Sequence, residues 1–224
     1  QSNNLLKNML DSYRHQGLRK KLVEALKAKG ISDENVLNAI EKIPRHWFMD
    51  SSFLEFAYED KAFPISAGQT ISQPYTVAFM TELLQLRNRD KVLEVGTGSG
   101  YQSCVLSALG AKVFTIERQK ALYDKTKIFL PAIGYGTIKQ FYGDGYKGLP
   151  TYGPFDKIIV TCGAPYIPDA LIMQLKIGGT LVIPVGEGDL QIMQTVKRLT
   201  EIDNEIKDHG RFRFVPMLED KNDK

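Results

Sequence analysis

Hydrophobic positions in the second half of the chain alternate between two periods. Runs with many apolar and β-branched residues predict strands at 91–95, 112–117, 138–142, 155–160 and 179–184. Segments between them have helical spacing, at 101–109, 119–130 and 168–175. Strands that alternate with helices predict an α/β fold with a doubly wound, mostly parallel sheet. Two later strand-like runs, near 191–199 and 211–216 with a turn at Asp203-Asn204, would add an antiparallel edge, although 201–207 is too polar to place.

The first part of the chain predicts helices instead. Apolar residues form one stripe over Leu18–Lys29, which Gly30 would end. Ser32 is predicted to cap a second helix, which Pro44 would end. Residues 45–74 show no regular pattern, and a connection of this length is often functional. Pro74 is well placed as the first residue of a further helix that reaches Leu84.

The organisation is therefore effectively one domain. Residues 1–90 would form a helical appendage and an active-site loop region packed on the core, and residues 91–224 would form the core.

The 224 residues have a formal net charge of only +3, and the longest basic run is three residues, Arg19-Lys20-Lys21, so composition gives no support to a nucleic-acid partner. No apolar run has transmembrane length, which predicts a cytoplasmic protein without a membrane partner. We also expect a monomer.

Metal and thiol chemistry have little support in the sequence. There are two cysteines, Cys104 and Cys162, and three histidines, with no spacing typical of a metal site, so we expect no metal. Cys104 falls among apolar residues and is predicted to lie in the core. Cys162 follows a strand, but no histidine can be placed beside it as a base, which argues against a nucleophile.

A glycine-rich turn follows the first strand of the core. Residues 92–100 read Val-Leu-Glu-Val-Gly-Thr-Gly-Ser-Gly, and Gly96, Gly98 and Gly100 would let a ligand lie directly against the backbone. A dinucleotide fingerprint requires a glycine or alanine at position 101, where this chain has Tyr101. The turn therefore favours S-adenosylmethionine, the methyl donor, over a nicotinamide cofactor.

The ends of the next strands carry acidic residues in the same order. Glu117 lies 21 positions after Gly96, close to the spacing at which a carboxylate accepts hydrogen bonds from two ribose hydroxyls. Asp144, between two glycines, suits an adenine amino group, although a turn aspartate would look the same. Glu94 precedes the glycine turn at the end of its strand.

This series resembles the cofactor motifs of class I methyltransferases, whose fold is Rossmann-like. Several further segments are similar to the protein-L-isoaspartate O-methyltransferase family over roughly 18–218. The most discriminating is Gly-Gln-Thr-Ile-Ser-Gln-Pro at 68–74, because it lies outside the generic cofactor core. The others are 92–102, 143–145, 155–160, 164–165, 175–186 and 214–216. Ile65-Ser66-Ala67-Gly68 departs from the Ile-Gly-x-Gly of many bacterial members.

The resemblance implies an activity and a set of residues. The family transfers the methyl group of S-adenosylmethionine to the free α-carboxylate of L-isoaspartyl residues in damaged proteins and peptides, releasing S-adenosylhomocysteine. The ester then closes to a succinimide, whose hydrolysis restores part of the normal linkage. Ser72 would be the active-site serine, with Thr70 beside it. The cofactor would contact Gln69, Thr70, Ile71, Glu94, Gly96, Thr97, Gly98, Gly100, Glu117, Arg118, Asp144 and Gly145, and the peptide would contact Ala164, Pro165, Val215 and Pro216.

The implied chemistry is compatible with these residue types. The acceptor carboxylate is already ionised near neutral pH, so no strong general base is required. Ser72 would orient it, although a helix cap before Pro74 explains the same serine. Three alternatives stay open: a class I methyltransferase for another carboxylate, a small molecule or RNA; a binding protein without catalysis; and a nicotinamide oxidoreductase.

Overall fold

A computed structural model describes residues 9–223. The helices are α1 (Tyr13–Ala28), α2 (Glu34–Lys42), α3 (Pro74–Leu84), α4 (Tyr101–Ala108), α5 (Lys120–Ala132) and α6 (Asp169–Met173). The strands are β1 (Phe63–Pro64), β2 (Thr70–Ile71), β3 (Lys91–Val95), β4 (Lys112–Glu117), β5 (Lys139–Tyr142), β6 (Phe155–Val160), β7 (Leu175–Val185), β8 (Gln191–Arg198) and β9 (Asn204–Phe212).

Seven strands form the main sheet in the order β5-β4-β3-β6-β7-β8-β9. The first five are parallel, and β8 and β9 are antiparallel. The predicted α/β fold with an antiparallel edge is confirmed. The strand order reverses between β3 and β6, and a crevice forms beyond the carboxyl ends of the strands at such a switch point.

Two apolar layers cover the faces of the sheet. One contains side chains of α1 to α5 with Val92 and Val113, and the other contains α6 with Leu93 and Phe114. The helical N-terminal region therefore packs on the same face as α4 and α5. The boundary at 90/91 between appendage and core stays a prediction. Among residues 9–223, no helix is long and apolar enough to cross a membrane.

The starts of the helices partly correct the predictions. Pro74 is the first residue of α3, as predicted. α1 begins at Tyr13, five residues before the predicted stripe. Ser32 does not cap α2: the cap is Asp33, whose carboxylate accepts from the N–H groups of Asn35 and Val36. Ser32 instead donates its N–H and its hydroxyl to Oε1 of Glu82 in α3, which joins the start of α2 to α3.

The strand predicted near 211–216 is displaced: it overlaps the observed strand only at 211–212. The last strand, β9, covers 204–212 and includes polar residues that gave no period-two signal. Seven of its nine residues are exposed, so little packs on either of its faces and no alternating apolar pattern is required there. The predicted turn is displaced as well: Leu199 and Thr200 donate to the carbonyl of Asp203, and Asn204 already belongs to the strand.

Residues 45–74, predicted as irregular, contain short elements. Two 3₁₀ helices cover Arg45–Phe48 and Ser51–Phe56, and β1 pairs with β2 in a small hairpin. The hairpin turn places Ala67 at φ 58° and Gly68 at φ 64°. After β9, residues 213–223 cross the carboxyl ends of the sheet; we call this segment the C-terminal strap.

Candidate active site

A cleft opens at the carboxyl ends of β3, β4 and β6, where the strand order reverses. Its empty volume, including the open mouth, is about 920 Å³. The predicted residues among those that line it are Gln69, Thr70, Ile71, Ser72, Gly96, Thr97, Gly98, Glu117, Arg118, Gly145, Val215 and Pro216. The glycine turn, the 69–72 segment and the C-terminal strap thus meet around one cavity.

The three glycines of the turn have different functions in the structure. A Cβ on Gly96, at φ 98°, would lie 2.8 Å from Oγ1 of Thr161. The N–H of Gly98 donates to Oε2 of Glu117 at 2.9 Å. Gly100 does not line the cleft: it is the cap of α4 at φ 85°, and a Cβ there would lie 2.7 Å from Leu130. Gly100 therefore permits packing of α4 rather than ligand contact.

Glu117 ends β4 with its carboxylate at the cleft. One oxygen accepts from Gly98 N–H, and the other accepts from Gln119 N–H at 2.8 Å. Burial raises its pKa above the ordinary value, while these backbone hydrogen bonds oppose the shift. Each oxygen keeps a lone pair, so the carboxylate could accept from two adjacent hydroxyls.

Arg118 lines the cleft, but its guanidinium is held by the C-terminal strap. Its Nε donates to the carbonyl of Asp220 at 2.8 Å, and Nη2 donates to that of Glu219 at 3.1 Å. Asn222 N–H returns a hydrogen bond to the carbonyl of Arg118 at 2.8 Å. Arg118 thus joins the strap to the end of β4.

Glu94 lies beneath the glycine turn and is fully buried, so it does not line the cleft. Oε1 accepts from the hydroxyls of Ser103 and Thr115, the latter at 2.6 Å. Oε2 has no partner among the described residues. Direct contact between Glu94 and a ligand in the cleft is not part of this geometry.

The loop after β5 contains two residues predicted to contact the cofactor, and only one of them lines the cleft. Gly145 lines the cleft, whereas Asp144 is 8% exposed and is not part of the lining. Oδ1 of Asp144 accepts from Tyr146 N–H at 2.9 Å and caps a 3₁₀ turn at Gly145–Lys147. A Cβ on Gly145 would lie 2.4 Å from Val95, so the glycine lets this loop approach β3 closely.

Two hydroxyls from the hairpin side face the cleft. Thr70 is exposed in β2, and Ser72 is half-buried before α3. Gln73, not Ser72, is the cap residue of α3, and its side chain forms no cap hydrogen bond. Within 9–223, neither hydroxyl has a hydrogen-bond partner in the protein. Both are therefore available to a bound molecule.

Of the four residues predicted to contact the peptide, two line the cleft and two do not. Val215 and Pro216 line the cleft, and Pro216 forms a β-bridge with Gly163. Ala164 is fully buried and bridges Val185, while Pro165 is exposed, and neither lines the cleft. Ala164 thus anchors the loop after β6.

Several residues that line the cleft were not predicted from the sequence. Thr161 and Cys162 directly follow β6, so their position at a strand end was a usable signal. Burial raises the pKa of the Cys162 thiol to about 12, which leaves it protonated at neutral pH. Met217 and Leu218 of the strap carried no such signal. The remaining lining residues are Val77, Met80, Val95, Ser99, Tyr101, Gln102, Ile116 and Gln119.

One cluster outside the cleft has metal-binding atoms close together. Ligand atoms of Asp11, His15 and His46 lie within 4.8 Å of one another. Both oxygens of Asp11 already accept from the guanidinium of Arg19 at 2.8 Å. The ion pair accounts for Asp11, while the His15 ring stacks on that of His46 and Nδ1 of His46 lies 2.6 Å from the Tyr58 hydroxyl.

Solved structures share the fold. A protein-L-isoaspartate O-methyltransferase superposes with a TM-score of 0.80 at 29% identity, covering 88% of this chain and 65% of the other. A putative protein-L-isoaspartate O-methyltransferase from Plasmodium falciparum, solved in complex with S-adenosyl-L-homocysteine, gives 0.78 at 24% identity, covering 89% of this chain and 98% of the other.

Sequence comparisons identify the family. The protein-L-isoaspartate O-methyltransferase of Christiangramia forsetii is 61% identical over 214 residues, covering 96% of this chain and all of that protein. The one from Dictyoglomus thermophilum is 46% identical, covering 92% and 94%. Residues 17–222 match the sequence profile of the protein-L-isoaspartate(D-aspartate) O-methyltransferase (PCMT) family. This chain belongs to that family.

Proposed function

We propose that this protein transfers a methyl group from S-adenosylmethionine to the α-carboxylate of L-isoaspartyl residues in proteins and peptides. Family membership over residues 17–222 supports the reaction. The observation that carries the proposal is the meeting of the glycine turn, Glu117 and the unpartnered hydroxyls of Thr70 and Ser72 in one cleft. The cofactor supplies a methyl group on a sulfonium, whose leaving group needs no proton.

The residues present fit this cofactor. The turn presents bare backbone at Gly96, where a side chain would meet Thr161. The Glu117 carboxylate keeps lone pairs for two ribose hydroxyls, and the adenine would lie against Gly145, which lines the cleft. Asp144 would support that wall rather than bind the base, since its carboxylate holds the Gly145–Lys147 turn.

The protein contributes orientation rather than proton transfer. Thr70 and Ser72 hydroxyls would donate to the acceptor carboxylate and align it for in-line attack, and such positioning can supply several kcal/mol of the acceleration. The hydrogen bonds must not stabilise the ground-state anion more than the transition state. The C-terminal strap, with Val215 and Pro216, would exclude water and border the peptide. A monomeric, cytoplasmic enzyme without nucleic-acid partners completes the proposal.

Paired peptides test the proposal directly. A peptide with one L-isoaspartyl residue and its normal aspartyl twin are incubated with labelled S-adenosylmethionine. We expect base-labile methyl ester on the isoaspartyl peptide only. Equal labelling of both peptides would refute the substrate, and labelling of neither, despite cofactor binding, would favour a binding protein.

A further inference from the structure

A single aspartate of the chain is followed directly by glycine, at Asp144-Gly145, and no asparagine is followed by glycine. Aspartate isomerises most readily in such pairs, because glycine has no side chain that hinders attack by its own backbone nitrogen. Gly145 lines the cleft, and Asp144 is buried beside it. The pair in the sequence that is most prone to this reaction therefore lies in the wall of the cleft.

The reaction is internal to the pair and requires only water as a further reagent. The Gly145 nitrogen attacks the side-chain carboxyl carbon of Asp144, a C–N bond forms, and one water molecule leaves to give a succinimide. Water then opens the ring at either carbonyl. Opening at the former main-chain carbonyl routes the backbone through the side chain, which adds one methylene to the main chain and leaves a free α-carboxylate.

The native loop holds the two reacting atoms apart. Ring closure requires a strongly negative ψ at Asp144, which turns the Gly145 nitrogen toward the side chain, whereas the observed ψ is 118°. Two hydrogen bonds fix this conformation. The carbonyl of Asp144 accepts from Lys147 N–H at 3.2 Å, and its Oδ1 accepts from Tyr146 N–H at 2.9 Å. Isomerisation therefore requires the 145–147 turn to open.

The turn is also attached to the C-terminal strap and packed against the sheet. The Tyr146 hydroxyl donates to the carbonyl of Met217, which lines the cleft, at 3.2 Å. A Cβ on Gly145 would lie 2.4 Å from Val95, so the backbone there leaves no room for an added atom on that side. An isomerised Asp144 has a longer backbone and loses its capping side chain, so the wall of the cleft must shift.

We infer that Asp144 is a modification site, where conversion to isoaspartate abolishes cofactor binding and a bound cofactor prevents the conversion. The inference rests on the proposed S-adenosylmethionine site, in which the adenine would lie against Gly145. A ligand packed there stabilises the closed turn and does not bind the open one. The rate of isomerisation should then fall about tenfold when the free ligand is at ten times its dissociation constant.

Long incubation near neutral pH, with and without S-adenosylhomocysteine, tests the inference. This ligand occupies the cofactor site without supplying a methyl group. Isoaspartate is located by peptide mapping, because it blocks an aspartate-specific protease. Without ligand it should accumulate at residue 144 before any other position. With ligand at ten times the dissociation constant, the rate at 144 should fall about tenfold.

Asp50 is the internal control. It also caps a 3₁₀ helix, with ψ 147°, and its carboxylate also accepts from the N–H two residues later, but Ser51 follows it instead of glycine. Its conversion should be slower and should not respond to the ligand. After incubation, protein retained on immobilised S-adenosylhomocysteine should contain no isoaspartate at 144, whereas the unretained protein should be enriched in it.

Two variants separate the chemistry of the pair from the opening of the turn. Tyr146→Phe removes the hydrogen bond to the strap and leaves the Asp-Gly pair unchanged, so isomerisation at 144 should be faster. Asp144→Ser keeps an oxygen that can cap the turn but cannot form the ring. Incubated Asp144→Ser protein should therefore keep the cofactor affinity that it had when fresh, whereas wild type should lose binding sites.

Three results would overturn the inference. The first is the absence of isoaspartate at 144 after an incubation that converts half of a synthetic peptide with the sequence of residues 139–150. The second is an equal rate at 144 with and without bound ligand. The third is isomerised protein that still binds the ligand. Failure of fresh wild type to bind S-adenosylmethionine or S-adenosylhomocysteine would instead refute the proposed function, while isomerisation at 144 would still be measured.

Discussion

Replacing Glu117 by alanine should weaken cofactor binding more than any other single change in the cleft. The carboxylate is predicted to accept two ribose hydroxyls, and a hydrogen bond to a charged group contributes about 1.5–3 kcal/mol. The same change leaves the N–H groups of Gly98 and Gln119 without their acceptor. We expect a net loss of about 3 kcal/mol, or a rise of roughly 100-fold in the dissociation constant.

Glu117→Gln tests the charge of the carboxylate separately from the size of the side chain. A carboxylate faces a backbone N–H with each oxygen, whereas an amide must turn its NH₂ group toward one of them. The isosteric variant should therefore lose most of the affinity that the alanine variant loses, at lower structural disturbance. Lowering the pH should weaken cofactor binding in a similar way, because protonation of the Glu117 carboxylate removes one of its acceptor sites. Since burial raises the pKa of Glu117, this weakening should begin above the ordinary range of a glutamate.

The assay is titration calorimetry with S-adenosylhomocysteine at neutral pH, with thermal unfolding monitored in parallel. Glu205→Ala on the exposed strand β9 is the matched control, because it removes the same charge far from the cleft. An unchanged dissociation constant in a folded Glu117→Ala variant would refute the ribose assignment.

Three further predictions concern turnover and stability. Ser72→Ala should lower kcat on an isoaspartyl peptide at least tenfold with little change in cofactor affinity. The control Ser66→Ala, in the exposed hairpin turn, should leave kcat unchanged. A wild-type kcat in Ser72→Ala would show that Ser72 does not take part in catalysis. Gly100→Ala should lower the free energy of unfolding by about 1–3 kcal/mol, because Gly100 has φ 85° and the new methyl group would meet Leu130. A denaturant unfolding curve that matches that of the wild type would contradict this. Ala67→Gly should instead stabilise the hairpin turn by up to about 1 kcal/mol because φ is 58°, and a lower melting temperature would argue against strain there.

The sheet was predictable because buried parallel strands carry continuous apolar runs. The runs at 91–95, 112–117 and 155–160 match β3, β4 and β6. A glycine turn after β3 and an acidic residue at the end of β4 then place a cleft at their shared edge. β9 escaped detection because little packs on either of its faces, so no face had to be apolar.

The burial of Glu94 could have been anticipated from strand geometry. Alternate residues point to the same face, so Glu94 follows Val92 toward the helices α1 to α5 and not toward the edge of the sheet. The resemblance already brought Val215 and Pro216 of the C-terminal strap to the cleft. The attachment of the strap was beyond prediction, because it depends on main-chain carbonyls of Glu219 and Asp220, which any residue could supply.

The hydrogen bonds between Arg118 and the strap join residues about 100 positions apart in the chain. The three strands that carry the floor of the cleft are complete by residue 160, while one of its walls arrives only with residues 215–218. Closing so long a loop carries an entropic cost that local contacts do not recover. The cofactor site should therefore be among the last parts of the molecule to form, and a bound cofactor should slow hydrogen exchange in the strap most of all.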